Sequence, residues 1–164
     1  MSWFLAYSIH FSEWHLVCSW IWYMDNNIAT GKAIQQRLHP FCLVCSGANP
    51  YGLALQLEEM KEGEIRASFH ANAALEGYAG VLHGGIVATL LDGIMTNCLF
   101  AHGVAGMTAE LRVRCREPVA IGPKISLCAR IEEKHPPLYL LTAELMQGGC
   151  IKAVASSKFM EKYE

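Results

Sequence analysis

From about residue 53 onward the chain alternates apolar and polar positions in short runs, broken once by a long run that is apolar almost throughout. Leu53, Leu55 and Leu57 are separated by Ala54 and Gln56, the two-residue period of a half-buried strand. Lys61-Glu62-Gly63 reads as a turn, and Ile65, Ala67 and Phe69 resume the alternation, so the two runs predict a hairpin. Residues 72–80 carry Gly77 and Gly80 and read as a loop. Later, Met107, Ala109, Leu111, Val113 and Cys115 alternate strictly up to Pro118. Three more alternating runs follow: Ile125, Leu127, Ala129 and Ile131; Tyr139, Leu141, Ala143 and Leu145; Ile151, Ala153 and Ala155. Short turns between the last strands favour antiparallel pairing.

The interruption spans residues 86–100, opens at His83-Gly84-Gly85 and stops at His102-Gly103. It holds no proline, is too long for one strand, and is apolar on nearly every helical face, which predicts a helix surrounded by other structure. The order is therefore two strands, one buried helix and four strands. That order predicts an α+β fold in which one antiparallel sheet wraps around one central helix. Such a helix is fully covered only if the sheet curls strongly or a second copy closes its open side.

The chain has 164 residues, about one typical domain. Hydrophobic residues are 52% and charged residues 17%, which excludes a disordered or collagen-like chain. A net charge of -2 supplies no basic field for nucleic acid. Seven cysteines, an odd number, most of them set singly in apolar runs, fit small buried hydrophobes in a reducing compartment and predict a cytoplasmic protein.

Residues 1–33 stand apart from the domain expected over residues 34–164. All four tryptophans (Trp3, Trp14, Trp20, Trp22) lie in this stretch, with Glu13 the sole charge over residues 1–23. The uncharged run is too short for a membrane span and is interrupted by His10, Ser12, Glu13 and His15. Trp3, Tyr7, Phe11, Trp14, Cys18 and Ile21 recur at helical spacing, which leaves two readings: an amphipathic helix that docks on a partner or membrane surface, or a leader outside the domain. Residues 25–32 are polar and turn-rich, like a linker.

Three features carry chemistry. Gly84 and Gly85 stand where a loop becomes a helix, and the unsatisfied N–H groups of a first turn, backed by the helix dipole, make a site for an oxyanion. Asp92 is a lone carboxylate in an apolar helix and must be paired, wet or functional. His83 precedes the helix, where it can brace the loop or donate to a carbonyl. Gly85 and Asp92 are seven residues apart, so they share a face but are separated by roughly 10 Å along the axis. A catalytic pair must converge on one reacting atom. The spacing therefore predicts a site shared between the helix mouth of one subunit and Asp92 of another, twice per symmetric dimer.

Residues 39–160 resemble the hotdog-fold thioesterases, specifically the PaaI-like branch with a His-Gly-Gly signature and a helix carboxylate nine residues after the histidine. Phe41-Cys42-Leu43-Val44-Cys45 and Asn49-Pro50-Tyr51-Gly52-Leu53 resemble the Cys-x-x-Cys-Gly and Asn-Pro-x-Gly-Leu opening of many members, with Ser46 in place of the glycine. Thr108-Ala109-Glu110-Leu111 and Pro118-Val119 match the strand after the helix and its end. The resemblance implies hydrolysis of an acyl-CoA thioester by a homodimer or a tetramer of paired dimers, with no metal or cofactor. It implies that Gly85, with Gly84, polarises the carbonyl, that Asp92 acts as general base or nucleophile, and that His83 positions the thioester or supports the loop. Thr108 matches a hydroxyl residue that helps hold the attacking water. Strand alternation instead puts Thr108 on the face of Glu110 and Arg112, unless a bulge or a strand edge reorients it. Members often carry an amide before the histidine, where this chain has Glu76-Gly77-Tyr78.

Tyr78, Leu82, Met95 and Met107 are candidates for lining the acyl pocket, although Met95 and Met107 also fit a plain core. Arg112 and Arg114, with Arg116, lie on one strand face and either bind coenzyme A phosphates or form a solvated face. His39, Cys42 and Cys45 have zinc-like spacing, but no second ligand pair follows at a fitting distance, and no metal is expected. A hotdog hydroxyacyl dehydratase and a non-catalytic acyl-CoA-binding module are the alternative functions.

Overall fold

The structure is a computed structural model that describes residues 31–61 and 63–161. The proposed N-terminal helix over residues 1–23, and the linker up to residue 30, lie outside the described residues. Residues 31–38 form a first helix, α1. Residues 31–33 are thus helical rather than linker, and Gly31 is buried so close to α2 that an added Cβ would lie 3.0 Å from the Ala101 nitrogen.

After a loop come β1 (Gln56–Lys61) and β2 (Glu64–His70), then a single 3-10 turn (Ala73–Leu75), a small hairpin of β3 (Glu76–Tyr78) and β4 (Val81–Leu82), and the central helix α2 (Gly84–Ala101). Four long strands complete the fold: β5 (Gly106–Cys115), β6 (Lys124–His135), β7 (Leu138–Gln147) and β8 (Cys150–Glu161). Six strands make one antiparallel sheet in the order β1-β2-β6-β7-β8-β5, so β1 and β5 are its edges. The expected order of two strands, helix and four strands holds. The loop expected over residues 72–80 instead contains β3, paired with β4.

The sheet makes room for the helix with small side chains. One cross-strand row runs Ile65, Ala129, Ala143, Ala155 and Val113, so three alanines sit at the centre of the concave face. Into that trough α2 sinks Leu90, Leu91, Ile94, Met95 and Leu99, all fully buried. Each such side chain contributes about 1.5–3 kcal/mol of transfer free energy, as an upper estimate. The helix is long and apolar enough to cross a bilayer, but two thirds of it is buried in the fold. Its first two turns differ: Gly84 and Gly85 are exposed, and Ile86, Ala88, Thr89 and Asp92 are half-buried. The sheet therefore leaves one side of the helix mouth open.

Two sequence expectations shift. The strand expected from Leu53 begins only at Gln56, because Ala54 has φ 50 and the Leu53 and Leu55 N–H groups donate to the Leu43 and Val44 carbonyls of the preceding loop. Met107, expected in the core, is 64% exposed, because β5 is bulged and its pairing register shifts between Thr108 and Glu110.

Candidate active site

The bulge decides which way β5 presents its residues. Thr108 pairs with Phe159, which is fully buried on the helix side of the sheet, while Glu110 pairs with Lys158 on the outer side. Ala109 is the extra residue between them, and such an insertion reverses the alternation. Thr108 thereby faces α2, and its Oγ1 donates to Asp92 Oδ1 at 2.7 Å. The conflict in the strand pattern is resolved by the bulge, and Met107 turns outward in exchange.

Asp92 is half-buried on α2, and among the described residues no cation lies within salt-bridge distance of it. Burial pushes its carboxyl above the ordinary aspartate range, and the Thr108 hydroxyl pulls the other way by stabilising the charged form. A carboxylate so placed is poised to take a proton from water.

The mouth of α2 departs from the expectation. His83 is the N-cap residue, and its Nδ1 accepts from the Gly85 N–H at 2.9 Å. The Gly85 N–H therefore already has a partner, the side chain expected to serve the substrate. A histidine cap satisfies one orphan donor of the first turn, as Ser, Asn or Asp does elsewhere. For the Gly85 N–H to reach a carbonyl, the exposed His83 ring must swing away. No local sequence signal marks this bond, because histidine is not among the preferred cap residues. Gly84 is open, with nothing within 4 Å of a Cβ built there. The β3–β4 hairpin backs the histidine: a Cβ on Gly77 would lie 3.2 Å from the His83 Cα and Cδ2 atoms. Thus Gly77 of the Glu76-Gly77-Tyr78 stretch flanks His83.

The other candidates divide. Tyr78 is 83% exposed on its hairpin, whereas Leu82 is buried at 4% and Met95 is fully buried, so within one chain neither apolar side chain lines an open pocket. Arg112 and Arg114 lie on the outer face of the sheet, away from α2, where they border a cavity of about 390 Å³ with Arg116, Arg130 and Glu144. Arg112 is also paired with Glu110. The structure does not bring these two arginines to Asp92 of their own chain. Donor atoms of His39, Cys42 and Cys45 do converge, all within 4.8 Å of one another, although the sequence spacing alone argued against a metal.

No family model matches the chain. Acyl-coenzyme A thioesterase 13 of Mus musculus is 30% identical over 81 residues, which cover 48% of this chain and 58% of that protein. The PaaI protein from the phenylacetic acid degradation operon of E. coli superposes with a TM-score of 0.71 at 14% identity, covering 84% of this chain and 95% of that one. The chain has the hotdog fold. A hypothetical thioesterase of Streptococcus pneumoniae, solved with coenzyme A, superposes with a TM-score of 0.63 at 15% identity, over 67% of this chain and 90% of that one. That protein has also been solved with an aspartate and, separately, a threonine replaced by alanine, at positions as far apart in its sequence as Asp92 and Thr108 are here. The chain spans about three fifths of the length of the acyl-coenzyme A thioesterase 13 relatives it matches, and about a quarter of the THEM4 thioesterases.

Proposed function

We propose that this chain hydrolyses an acyl-CoA thioester to the free acid and coenzyme A, as a homodimer or a tetramer of dimers. The observation that carries the reading is the Thr108–Asp92 contact on the half-buried face of a helix that starts with two glycines. Curated relatives named acyl-coenzyme A thioesterases, and the pneumococcal aspartate and threonine with the same spacing, support it.

Thr108 occupies Oδ1 of Asp92, leaving Oδ2 to accept from a water. Asp92 takes one proton of that water as its oxygen bonds to the thioester carbon. The carbonyl oxygen, now negative, is held by the N–H groups of Gly84 and Gly85 once His83 has turned aside. The carbon–sulfur bond then breaks, and the proton on Asp92 passes to the departing thiolate. A donor at the oxyanion is worth about 10²–10³ in rate and a positioned base about 10²–10⁴. No metal or redox cofactor is needed for this balance.

The rise along α2 still separates Gly85 from Asp92 by roughly 10 Å, so the oxyanion donors and the base come from different subunits. The open side of the α2 mouth, next to the free edge β5, is where the second copy fits. There Tyr78 of one copy would border an acyl group, and Leu82 and Met95 would support the wall from behind. The six free cysteines among the described residues suit a cytoplasmic setting.

Incubation with a panel of acyl-CoAs and a thiol reagent tests the reading. Coenzyme A release that disappears in Asp92→Asn, with the fold intact, supports hydrolysis. Tight acyl-CoA binding without release means a non-catalytic module, and loss of water from a hydroxyacyl-CoA without thiol release means a dehydratase.

A further inference from the structure

A second concentration of reactive side chains lies in the loop between α1 and β1. Cys42 Sγ and Cys45 Sγ are 3.2 Å apart, and a donor atom of His39 completes a group within 4.8 Å. The Val44 N–H donates to Cys42 Sγ at 3.4 Å. Bonds outside the group hold its shape. Ser46 N–H donates to the Cys42 carbonyl at 3.1 Å, Ser46 Oγ donates to the Pro40 carbonyl at 2.7 Å, and Gln35 Nε2 of α1 donates to the Cys45 carbonyl at 2.8 Å. The His39 ring packs edge-on against Phe100 of α2, centroids 5.0 Å apart. All three residues are half-buried, and a cavity of about 520 Å³ opens beside His39 and Cys45.

We propose that His39, Cys42 and Cys45 bind one zinc ion, with a solvent water as fourth ligand, and that the ion fastens this loop to the middle of α2. A tetrahedral site needs sulfurs about 3.8 Å apart, given Zn–S bonds near 2.3 Å. The observed pair needs only a small side-chain opening to reach that spacing. Two thiolates and an imidazole are donors of the borderline-soft kind zinc prefers. On binding, Zn²⁺ replaces the two thiol protons, which leave to solvent, and His39 donates a ring lone pair; no electron is transferred. Among the described residues no fourth Cys, His, Asp or Glu joins the group, so the cavity supplies the water.

The location gives the ion a structural task. Val44 lies between the two cysteines and presses on Gly93, where an added Cβ would meet Val44 Cγ1 at 2.3 Å. Gly93 follows Asp92, and Asn97, one turn on, donates to the Gly93 carbonyl at 2.7 Å. The clamp holds the Gly93 side of α2, about 100° round the helix from Asp92, and is independent of the hydrolytic reading.

The test uses the full chain, reduced and stripped with a chelator, then titrated with Zn²⁺ alone and in parallel with Co²⁺. The expected result is one equivalent bound, a Co²⁺ spectrum with thiolate charge-transfer bands and tetrahedral ligand-field bands, and two fewer thiols open to a thiol reagent when zinc is present. Cys42→Ser and Cys45→Ser should each weaken binding by about 100-fold or more, and His39→Ala by about tenfold or more. Should those variants fail to fold, the wild-type Co²⁺ spectrum decides, because its charge-transfer intensity reports the number of thiolates. Failure of the reduced wild-type chain to compete with a micromolar chelator would overturn the site, as would a spectrum without thiolate bands. So would a Cys42–Cys45 disulfide that forms in air despite excess Zn²⁺.

Discussion

Thr108 Oγ1 and Asp92 Oδ1 are 2.7 Å apart although they lie on different elements, and the one-residue bulge at Ala109 is what brings them together. The bond ties the free edge of the sheet to the lone carboxylate of the central helix. It also sets two opposed influences on one group: burial favours the neutral acid, and the hydroxyl favours the carboxylate.

Removing the hydroxyl should therefore shift the acid limb of activity. Asp92 must be ionised to act as base, so kcat/KM rises with pH through its pKa, which lies above the ordinary aspartate range. Thr108→Val leaves burial unopposed, moves that limb to higher pH, and lowers turnover at neutral pH about tenfold. Thr108→Ser keeps the limb in place. A pH–rate profile of the three proteins checks it; coincident limbs would show that the hydroxyl does not tune the acid.

Asp92→Asn separates stability from activity. Because the folded pKa is raised, the folded chain holds this proton more tightly than the unfolded chain does. Stability then falls as pH rises from the unfolded value toward the folded one, and the charged group is a net cost above that window. The amide, which can still accept from Thr108, should match or exceed wild type at neutral pH by less than about 1 kcal/mol, the half-exposed carboxylate being partly solvated. The difference should vanish below about pH 4, while turnover falls by about 10²–10⁴. Denaturant melts at the two pH values check the sign, and a large loss at neutral pH would make Asp92 a structural carboxylate.

The main elements were legible in the sequence because each buries one face, and burial imposes a period. Tyr139, Leu141, Ala143 and Leu145 alternate inward along β7, and the all-round apolar run at α2 lies in the concave sheet, as its pattern demands. What escaped depends on single residues that break a period or close a gap. Ala109 looks like any inward strand residue, and nothing local marks it as the bulge. His83 is a poor cap by propensity, so its bond to Gly85 is visible only in three dimensions. Met107 reads as core until the bulge turns it out, and the short β3–β4 hairpin has too few residues to show alternation. The convergence of His39 with Cys42 and Cys45 follows from the turn after α1, which the three-ligand spacing does not reveal.

His83 has two roles that a pair of variants can split. His83→Ala removes the bond to the Gly85 N–H and should cost about 1 kcal/mol of stability. Asparagine is among the best cap residues, so His83→Asn should restore that stability. If His83 also positions the thioester, kcat/KM stays low in both variants. Recovery of stability and activity together in the asparagine variant would reduce His83 to a cap.

Gly93→Ala sets two known effects against each other. Alanine in a helix interior is favoured over glycine by about 1 kcal/mol. Here, however, its Cβ would lie 2.3 Å from Val44 Cγ1, so the loop or the helix must move. Overpacking of this kind costs about 1–3 kcal/mol, and the net outcome is a destabilised protein. Val44→Ala in the same chain removes the obstructing atoms, so the double variant should be more stable than the sum of the two single effects allows. Additive effects in thermal melts would mean that Val44 does not limit the approach of the loop to α2.

The shared site makes the sharpest quantitative claim. Gly85→Pro deletes the oxyanion N–H without touching the base, and Asp92→Ala deletes the base without touching the helix mouth. Each variant alone should be inactive, since every site in its homodimer lacks one part. In a heterodimer both lesions fall in one of the two sites, and the other site combines an intact Gly85 with an intact Asp92. Equal mixing with free subunit exchange makes half the dimers mixed, each with one working site. The mixture should thus regain about a quarter of the wild-type rate per chain. A mixture that stays inactive after exchange has been demonstrated by mass spectrometry would place both groups in the site of a single chain, or remove one of them from catalysis.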